Sequence, residues 1–353
     1  MTGELVLITG ASGHMGFRAV VNALELGYQV RAAVRNQDKA EVILNAPSIK
    51  ALAPGKKLTF VFVPDIIANG AYDDAVKDVT YILHIASPIA KPSDDYERDA
   101  IQPALKSTIN ILESALKAPT VKRIVMTSSV IAVIPFQEFV MEESSRVVTA
   151  NERIPDVYGP FGHHFQAYAA EKVRALNATD KFIETEKPHY EVSNIMPSFF
   201  IGKNELITDA ADILSGTNRV AFSPVLGEKA DGALPGATSH VDDVAKVHVL
   251  ALDPKVPGGQ NFGLMSGGVN GNQWGDSVDI VKKHFPEAVK DGRLPANGTQ
   301  STKKFLCDTS ETDRILGIKQ KSYEEQVVSV TEHYLELLEK AGGKVEVKTA
   351  LAY

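Results

Sequence analysis

The sequence predicts an α/β protein: a Rossmann-type doubly wound parallel sheet with a smaller, interleaved C-terminal lobe. Three observations predict it. Apolar runs of strand length alternate with helical patterns through the first 200 or so residues. The first run, at residues 4–8, passes without a break into Thr9-Gly10-Ala11-Ser12-Gly13-His14-Met15-Gly16. Beyond about residue 200 glycine and proline become frequent and the alternation blurs.

The elements follow in order. Residues 17–30 read as a helix that leads into a second strand at 28–34, so the glycine turn sits between strand and helix. A third strand is expected at 58–63, a short helix at 71–76 and a fourth strand at 80–85. Helical spacing of Ile101, Leu105, Ile109, Leu112 and Leu116 places a helix at 96–117, ahead of a fifth strand at 121–127. Residues 136–162 lack periodicity and read as a long loop, of the kind that is usually functional or mobile. A helix at 165–186 and a sixth strand at 190–196 complete the alternation. Later come a helix at 241–252, a strand at 260–265 that returns to the main sheet, and helices at 274–285 and 323–341.

Composition narrows the classes. The 353 residues carry 37 basic and 44 acidic side chains, a formal charge of -7, which argues against a nucleic-acid partner. No apolar run approaches the roughly twenty residues of a membrane span. Cys307 is the single cysteine, so no intrachain disulfide and no cysteine-built zinc site can form, and a reducing cytoplasmic setting is expected.

Gly10, Gly13 and Gly16 recur at intervals of three between a strand and a helix. Such spacing lets the backbone turn tightly and approach a pyrophosphate, and lets the helix pack on the sheet with its N-terminus toward the anion. The end of the second strand reads the adenosine ribose. An acid there would hold the 2′-hydroxyl of NAD; here Arg35 stands just past the strand, with Arg31 and Lys39 nearby, so NADPH is favoured. Asp65, past the third strand, is placed either to accept from an adenine amino group or to cap the next helix. Thr127-Ser128-Ser129 ends the fifth strand, at the crevice. On the next long helix Tyr168 and Lys172 are four apart and share one face.

That set suits carbonyl reduction. Hydride arriving at a carbonyl carbon puts charge on its oxygen, which needs a proton donor and a second hydrogen bond. A tyrosine, with a reference pKa of about 10, becomes a useful acid when a neighbouring ammonium draws it toward neutrality. Tyr168 and Lys172 have the spacing for this, and Ser129 can supply the second bond. The same lysine can bond the nicotinamide ribose.

The combination Thr9-Gly10-x-x-Gly13-x-x-Gly16, His84-Ile85-Ala86-Ser87-Pro88, Thr127-Ser128-Ser129, Tyr168-x-x-x-Lys172 and His240-Val241-Asp242-Asp243-Val244-Ala245 resembles the extended short-chain dehydrogenases/reductases. Within them it is similar to the dihydroflavonol-reductase-like branch, and to the microbial NADPH-dependent carbonyl reductases of that branch. Ser266-Gly267-Gly268 before Trp274, and Asp308-Thr309-Ser310 before Leu316-Gly317, agree, so the resemblance spans essentially the whole chain. It implies Ser129, Tyr168 and Lys172 as catalytic residues, with Ser128 as the fallback serine. It implies a cofactor set of Thr9, Gly10, Ser12, Gly13, His14, Met15, Gly16, Arg35, Lys39, Asp65, Ile66, Ile85, Ala86, Ser87, Pro88, Thr127, Ser128, Tyr168, Lys172, Pro197 and Ser198. Residues 1–198, with returns near 239–265, would form the NADPH-binding domain, and 199–353 mainly the substrate-binding lobe.

Two departures stand out. Ser107-Thr108-Ile109-Asn110 replaces a Gly-Thr-x-Asn segment, with the role of Asn110 left open, and no asparagine claims a water relay. Residues 130–136 are wholly apolar where flavonoid-specific relatives carry a polar residue, so a small hydrophobic carbonyl compound is expected instead. Ile89, Ile131, Val133, Phe136, Phe199, Phe222 and Trp274 are the candidate substrate contacts. No metal is expected: His163 and His164 are adjacent in a loop, and His240 reads as a helix cap. Monomer and homodimer both remain open. Two rival readings stand. A nucleotide-sugar or 3β-hydroxysteroid dehydrogenase/epimerase uses the same motifs, although 200–240 offers little to bind a diphosphate. A regulator that senses NADPH without turnover is the other, against which the presence of both Tyr168 and Lys172 counts.

Overall fold

The computed structural model describes residues 3–88, 90–140 and 145–342. The chain gathers into two compact units. The first runs to Phe136 and takes in Ala150–Met196 and Ala245–Gly263; the second holds Gln137–Thr149, Pro197–Val244 and the chain from Leu264. The chain therefore leaves the first unit at 137–149, a stretch inside the domain expected at 1–198.

The first unit is built on a seven-stranded sheet. Its strands are β1 (Leu5–Thr9), β2 (Gln29–Val34), β3 (Leu58–Phe62), β4 (Tyr81–His84), β5 (Arg123–Thr127), Glu191–Pro197 and Asn261–Leu264. Across the sheet the order is Asn261–Leu264, Glu191–Pro197, β5, β4, β1, β2, β3. From β3 through to Glu191–Pro197 every neighbouring pair is parallel. Aliphatic side chains suit such strands because both faces are covered, and Val6, Leu7 and Ile8 have no exposed surface. Strand order reverses between β1 and β4, whose last residues Thr9 and His84 lie side by side. Ligand crevices open at that reversal, beyond the carboxyl ends of the strands.

Helices α1 (His14–Glu25), α2 (Gln37–Asn45), α3 (Pro47–Leu52) and α4 (Gln102–Leu116) follow their strands, and the long helix His164–Glu186 follows β5. A π-helical turn, Glu97–Ile101, precedes α4. Its Glu97 carboxylate accepts from Arg174 Nη1 at 2.7 and 3.0 Å, which ties this turn to the long helix.

Four expectations need adjustment. Residues 71–76 form successive turns rather than a helix: Gly70 and Asp78 take positive φ, and Asp73 is drawn to Ser114 at 2.7 Å and Lys117 at 2.8 Å. The loop 136–162 contains a short helix, Phe136–Val140, and a short strand, Val147–Thr149, paired with Leu306–Asp308. Helices α2 and α3, absent from the sequence expectation, carry standard start signals. Asn36 accepts from Lys39 N–H at 3.2 Å, and Pro47 occupies the first turn of α3. The helix expected from residue 274 begins at Asp276, because Trp274 is a core side chain.

The second unit has its own core, in which Phe222 and Trp274 are fully buried. Phe222 packs edge-on against Tyr334 with ring centroids 5.2 Å apart. Trp274 lies between Phe199 and Tyr323, each 5.8 Å away, and its Nε1–H donates to Pro235 O at 3.0 Å. Neither offers surface to a substrate, which corrects their assignment as contacts. Burial of so large an apolar area is what holds this unit's short elements together.

Arg123 binds the far side of the first unit's sheet. Its guanidinium is nearly buried, bonds Glu191 through Nε at 3.0 Å, and donates from Nη1 to the carbonyls of Ala251 at 2.9 Å and Asp253 at 2.8 Å. Replacement by methionine fills the volume but leaves two carbonyls without their donor. Arg123→Met should therefore lower stability by about 3 kcal/mol, read as a lower denaturant midpoint with unchanged far-ultraviolet circular dichroism.

Candidate active site

The glycine turn is fixed by close backbone approach. Gly10 has φ +69°, and a Cβ on it would stand 2.8 Å from Ala86 N. On Gly16 a Cβ would collide with Gly10 O, while Gly13 N–H donates to that same carbonyl at 2.9 Å. Gly13 then caps α1, with no side-chain cap and no acid in the helix's first turn. These features fit a pyrophosphate: a bare backbone cradle and the positive end of a helix.

Thr9 ties that cradle to the end of β4. Its hydroxyl oxygen accepts from Ile85 N and Ala86 N, both at 3.0 Å, and lies 3.0 Å from His84 Nδ1. With both lone pairs engaged, its one proton goes to Nδ1, which leaves the His84 proton on Nε2. Burial, with the nearby charge of Lys172 adding to it, drives the His84 pKa down to about 3, so the ring stays neutral. It packs edge-on against Tyr72 at 5.7 Å.

At the ribose end, Arg35 and Lys39 are exposed just beyond β2, as a 2′-phosphate would need. Arg31 is engaged elsewhere, since its Nη1 donates to Ala75 O at 2.9 Å and Lys77 O at 2.6 Å. Asp65 is exposed and turns its Oδ1 to Ile67 N–H at 3.0 Å. Asn110 holds the neighbouring backbone, donating to Ile66 O at 3.0 Å and Ala68 O at 2.8 Å. The role left open for Asn110 in the sequence is thus the shaping of the 65–68 turn.

Beyond β5, Ser128 N–H donates to Ile195 O at 2.8 Å and Thr127 Oγ1 meets His248 Nε2 at 2.8 Å. Ser129 is the next residue out. It caps the 3-10 turn Val130–Val133, and its hydroxyl is hydrogen-bonded to the Tyr168 phenol. Lys172 Nζ sits 5.5 Å from the centroid of the Tyr168 ring. The structure thus brings Ser129, Tyr168 and Lys172 together from two elements.

The pKa of Tyr168 departs from expectation. Removal from water raises it; Lys172 and the Ser129 hydrogen bond lower it; Glu171 raises it again, and the balance is upward. In the chain alone the phenol is therefore held protonated rather than drawn toward neutrality.

Two neighbours belong to no motif in the sequence. Phe165 stacks on Tyr168 at 6.2 Å with 10° between the planes, and Phe136 meets Phe165 edge-on at 5.9 Å. Glu171 has no exposed surface, and burial raises its pKa to about 7. The helical period could have found both, since Phe165 and Glu171 lie three residues either side of Tyr168.

Of the other candidate contacts, Ile131 and Val133 are buried, while Phe136 and Phe199 are half-buried. Ile89 lies outside the described residues. Pro197 and Ser198 belong to the second unit, where Ser198 Oγ meets Ser239 Oγ at 2.7 Å. Among the described residues no group of three or more His, Cys, Asp or Glu side chains is arranged to hold a metal ion. No helix among them is long and apolar enough to cross a membrane.

Known proteins match the chain over most of its length. The family model for the NAD dependent epimerase/dehydratase family matches residues 6–263. Ketoreductase CTB6 of Cercospora beticola is 37% identical over 358 residues, covering 99% of each chain. The putative NADPH-dependent methylglyoxal reductase GRP2 of Candida albicans is 28% identical, over 92% of this chain and 98% of its own. Yeast methylglyoxal/isovaleraldehyde reductase Gre2, solved with NADPH, superposes with a TM-score of 0.80 at 24% identity, over 96% of this chain and all of that one.

The cradle's geometry is open to a direct check. Gly16→Ala forces a Cβ against a backbone oxygen that has no room to yield, whereas Gly232→Ala meets nothing within 4 Å. Fluorescence titration should show NADPH affinity reduced at least about tenfold, or 1.4 kcal/mol, in the first and unchanged in the second.

Proposed function

The chain belongs to the NAD dependent epimerase/dehydratase family, and on that premise we propose that it is an NADPH-dependent reductase that converts an aldehyde or ketone to the alcohol. The observation that carries this reading is the meeting of the Ser129 hydroxyl, the Tyr168 phenol and the Lys172 ammonium in one cluster. Full-length similarity to a named ketoreductase supports it further.

NADPH, when bound, supplies the hydride. Gly10, Gly13 and Gly16 with the start of α1 would hold its pyrophosphate, Arg35 and Lys39 its 2′-phosphate, Asp65 and Ile66 its adenine. The reacting oxygen is served by the chain itself. Ser129 donates a hydrogen bond to it, which orients the carbonyl and stabilises charge as it develops. Tyr168 holds a proton on its phenolic oxygen and passes it to the alkoxide. Burial keeps the phenol protonated before substrate arrives, and Lys172, which acts to lower its pKa, makes it the better donor. Lys172 then faces the phenolate and offsets its charge. The Phe136, Phe165 and Tyr168 rings give a carbonyl compound an aromatic neighbour. On this reading the enzyme works in the cytosol, on small hydrophobic carbonyl compounds, as a monomer or homodimer.

A panel of aryl ketones and α- and β-ketoesters, followed by loss of the reduced cofactor's absorbance, tests the reading. Turnover with none of them, alongside measurable NADPH binding, would favour a non-catalytic sensor. With an accepted substrate, Tyr168→Phe should lower kcat by about a thousandfold and leave NADPH affinity intact; full activity would remove Tyr168 from the chemistry.

Arg35 provides a second check. Losing charge-assisted hydrogen bonds to a phosphate costs about 1.5–3 kcal/mol, so Arg35→Ala should raise KM for NADPH roughly ten- to a hundredfold. The KM for NADH should hardly move. Equal losses with both cofactors would exclude the assigned role.

A further inference from the structure

Glu171 is a carboxyl group in an unusual place. It precedes the lysine of the reductase cluster, has no exposed surface, and touches both that lysine and Ser87. Ser87 Oγ lies 3.3 Å from its Oε1, Lys172 Nζ lies 3.7 Å from the same oxygen, and Lys172 Nζ donates to Ser87 Oγ at 3.2 Å. Its other oxygen, Oε2, is buried with no hydrogen-bond partner. Fold stability does not call for such a group, because a buried carboxylate with one oxygen unsatisfied destabilises the chain that carries it.

We infer that Glu171 is a positioning residue of the reductase site: a sealed counter-charge that opposes Lys172 and keeps the Tyr168 phenol in its acid form. This rests on the reductase reading above and adds to it a group that tunes the tyrosine's acidity. Lys172 alone would favour the phenolate. With Glu171 ionised beside it, the lysine's effect on the phenol is partly offset, and desolvation, the largest influence, prevails at Tyr168. The carboxyl group is itself raised to about 7 by burial, so it is ionised throughout the alkaline range in which a phenol titrates.

Other charges do not intervene. Lys172 and Tyr168 are the titratable neighbours on the same helix. From β4, His84 faces Lys172 and is neutral. From the helical turn before α4, Glu97 is engaged by Arg174 and Asp99 by Arg98. On α4 itself Lys106 and Glu113 are exposed, and Val130–Val133 contributes only apolar side chains.

The test compares wild type with Glu171→Gln, which keeps the shape without the charge, and Glu171→Asp, which keeps the charge. Near-ultraviolet titration of the cofactor-free proteins, with Tyr168→Phe subtracted, isolates the Tyr168 phenolate. The Gln variant should titrate about one pH unit lower than wild type, with the Asp variant close to wild type. The alkaline limb of the kcat/KM profile for ketone reduction should move down by the same interval. Coincident midpoints in wild type and Gln overturn the inference, whether or not turnover is seen. A shifted phenol in a protein that reduces no carbonyl keeps the inference about charge and removes the reductase reading instead. If Glu171→Gln does not fold, the wild-type phenol decides: a Tyr168 midpoint above that of free tyrosine supports the counter-charge, and one drawn below it overturns the inference.

Discussion

One hydroxyl organises the functional end of the first unit. Thr9 closes β1, and by accepting from Ile85 and Ala86 while donating to His84 it locks the exits of β1 and β4 together at the point where strand order reverses. Gly10 then approaches Ala86 so closely that no side chain fits, and Gly16 closes over Gly10. A threonine, a neutral histidine and two glycines thus form a single rigid joint. Sequence spacing alone shows glycines; their need comes from close backbone approach, of Gly10 to Ala86 beyond β4 and of Gly16 to the Gly10 carbonyl.

Elements with a strong periodic signal were legible. The seven strands of the main sheet and the long helix His164–Glu186 follow from aliphatic runs and helical spacing, and their bounds differ from expectation by one or two residues. The short pieces were not. Helices α2 and α3 announce themselves only through Asn36 and Pro47, local signals easily passed over beside a more conspicuous motif. The turns of 71–76 look helical in composition, yet the Asp73 side chain is spent on Ser114 and Lys117 instead. Tertiary partners decided that segment, and they are invisible to a window of six residues.

The candidate site was legible as a set of residue types, less so as an environment. Ser129, Tyr168 and Lys172 could be named from order and spacing because the chemistry requires those groups. Substrate contacts could not be, since an apolar side chain in the sequence carries no mark of whether it faces a cavity or a core. Trp274 and Phe222 illustrate the ambiguity: both are large and aromatic, and both are wholly enclosed by Phe199, Tyr323 and Tyr334. Phe165, with the same composition signal, stacks on Tyr168 and is half-buried.

The same helix face explains why a lysine four residues from a tyrosine does not by itself make a low-pKa phenol. Four influences act on Tyr168, and their signs conflict: desolvation and Glu171 raise the pKa, Lys172 and Ser129 lower it. Only the lysine and the serine are part of the recognisable pattern. Burial is set by how the helix packs, and Glu171 reaches the cluster because position 171 lies one turn from Tyr168 on the buried side. The balance keeps the phenol fully protonated before its substrate arrives, at a cost in acid strength relative to a phenol closer to neutrality. The lysine opposes that cost, since the same charge that lowers the phenol's pKa offsets the phenolate formed on transfer.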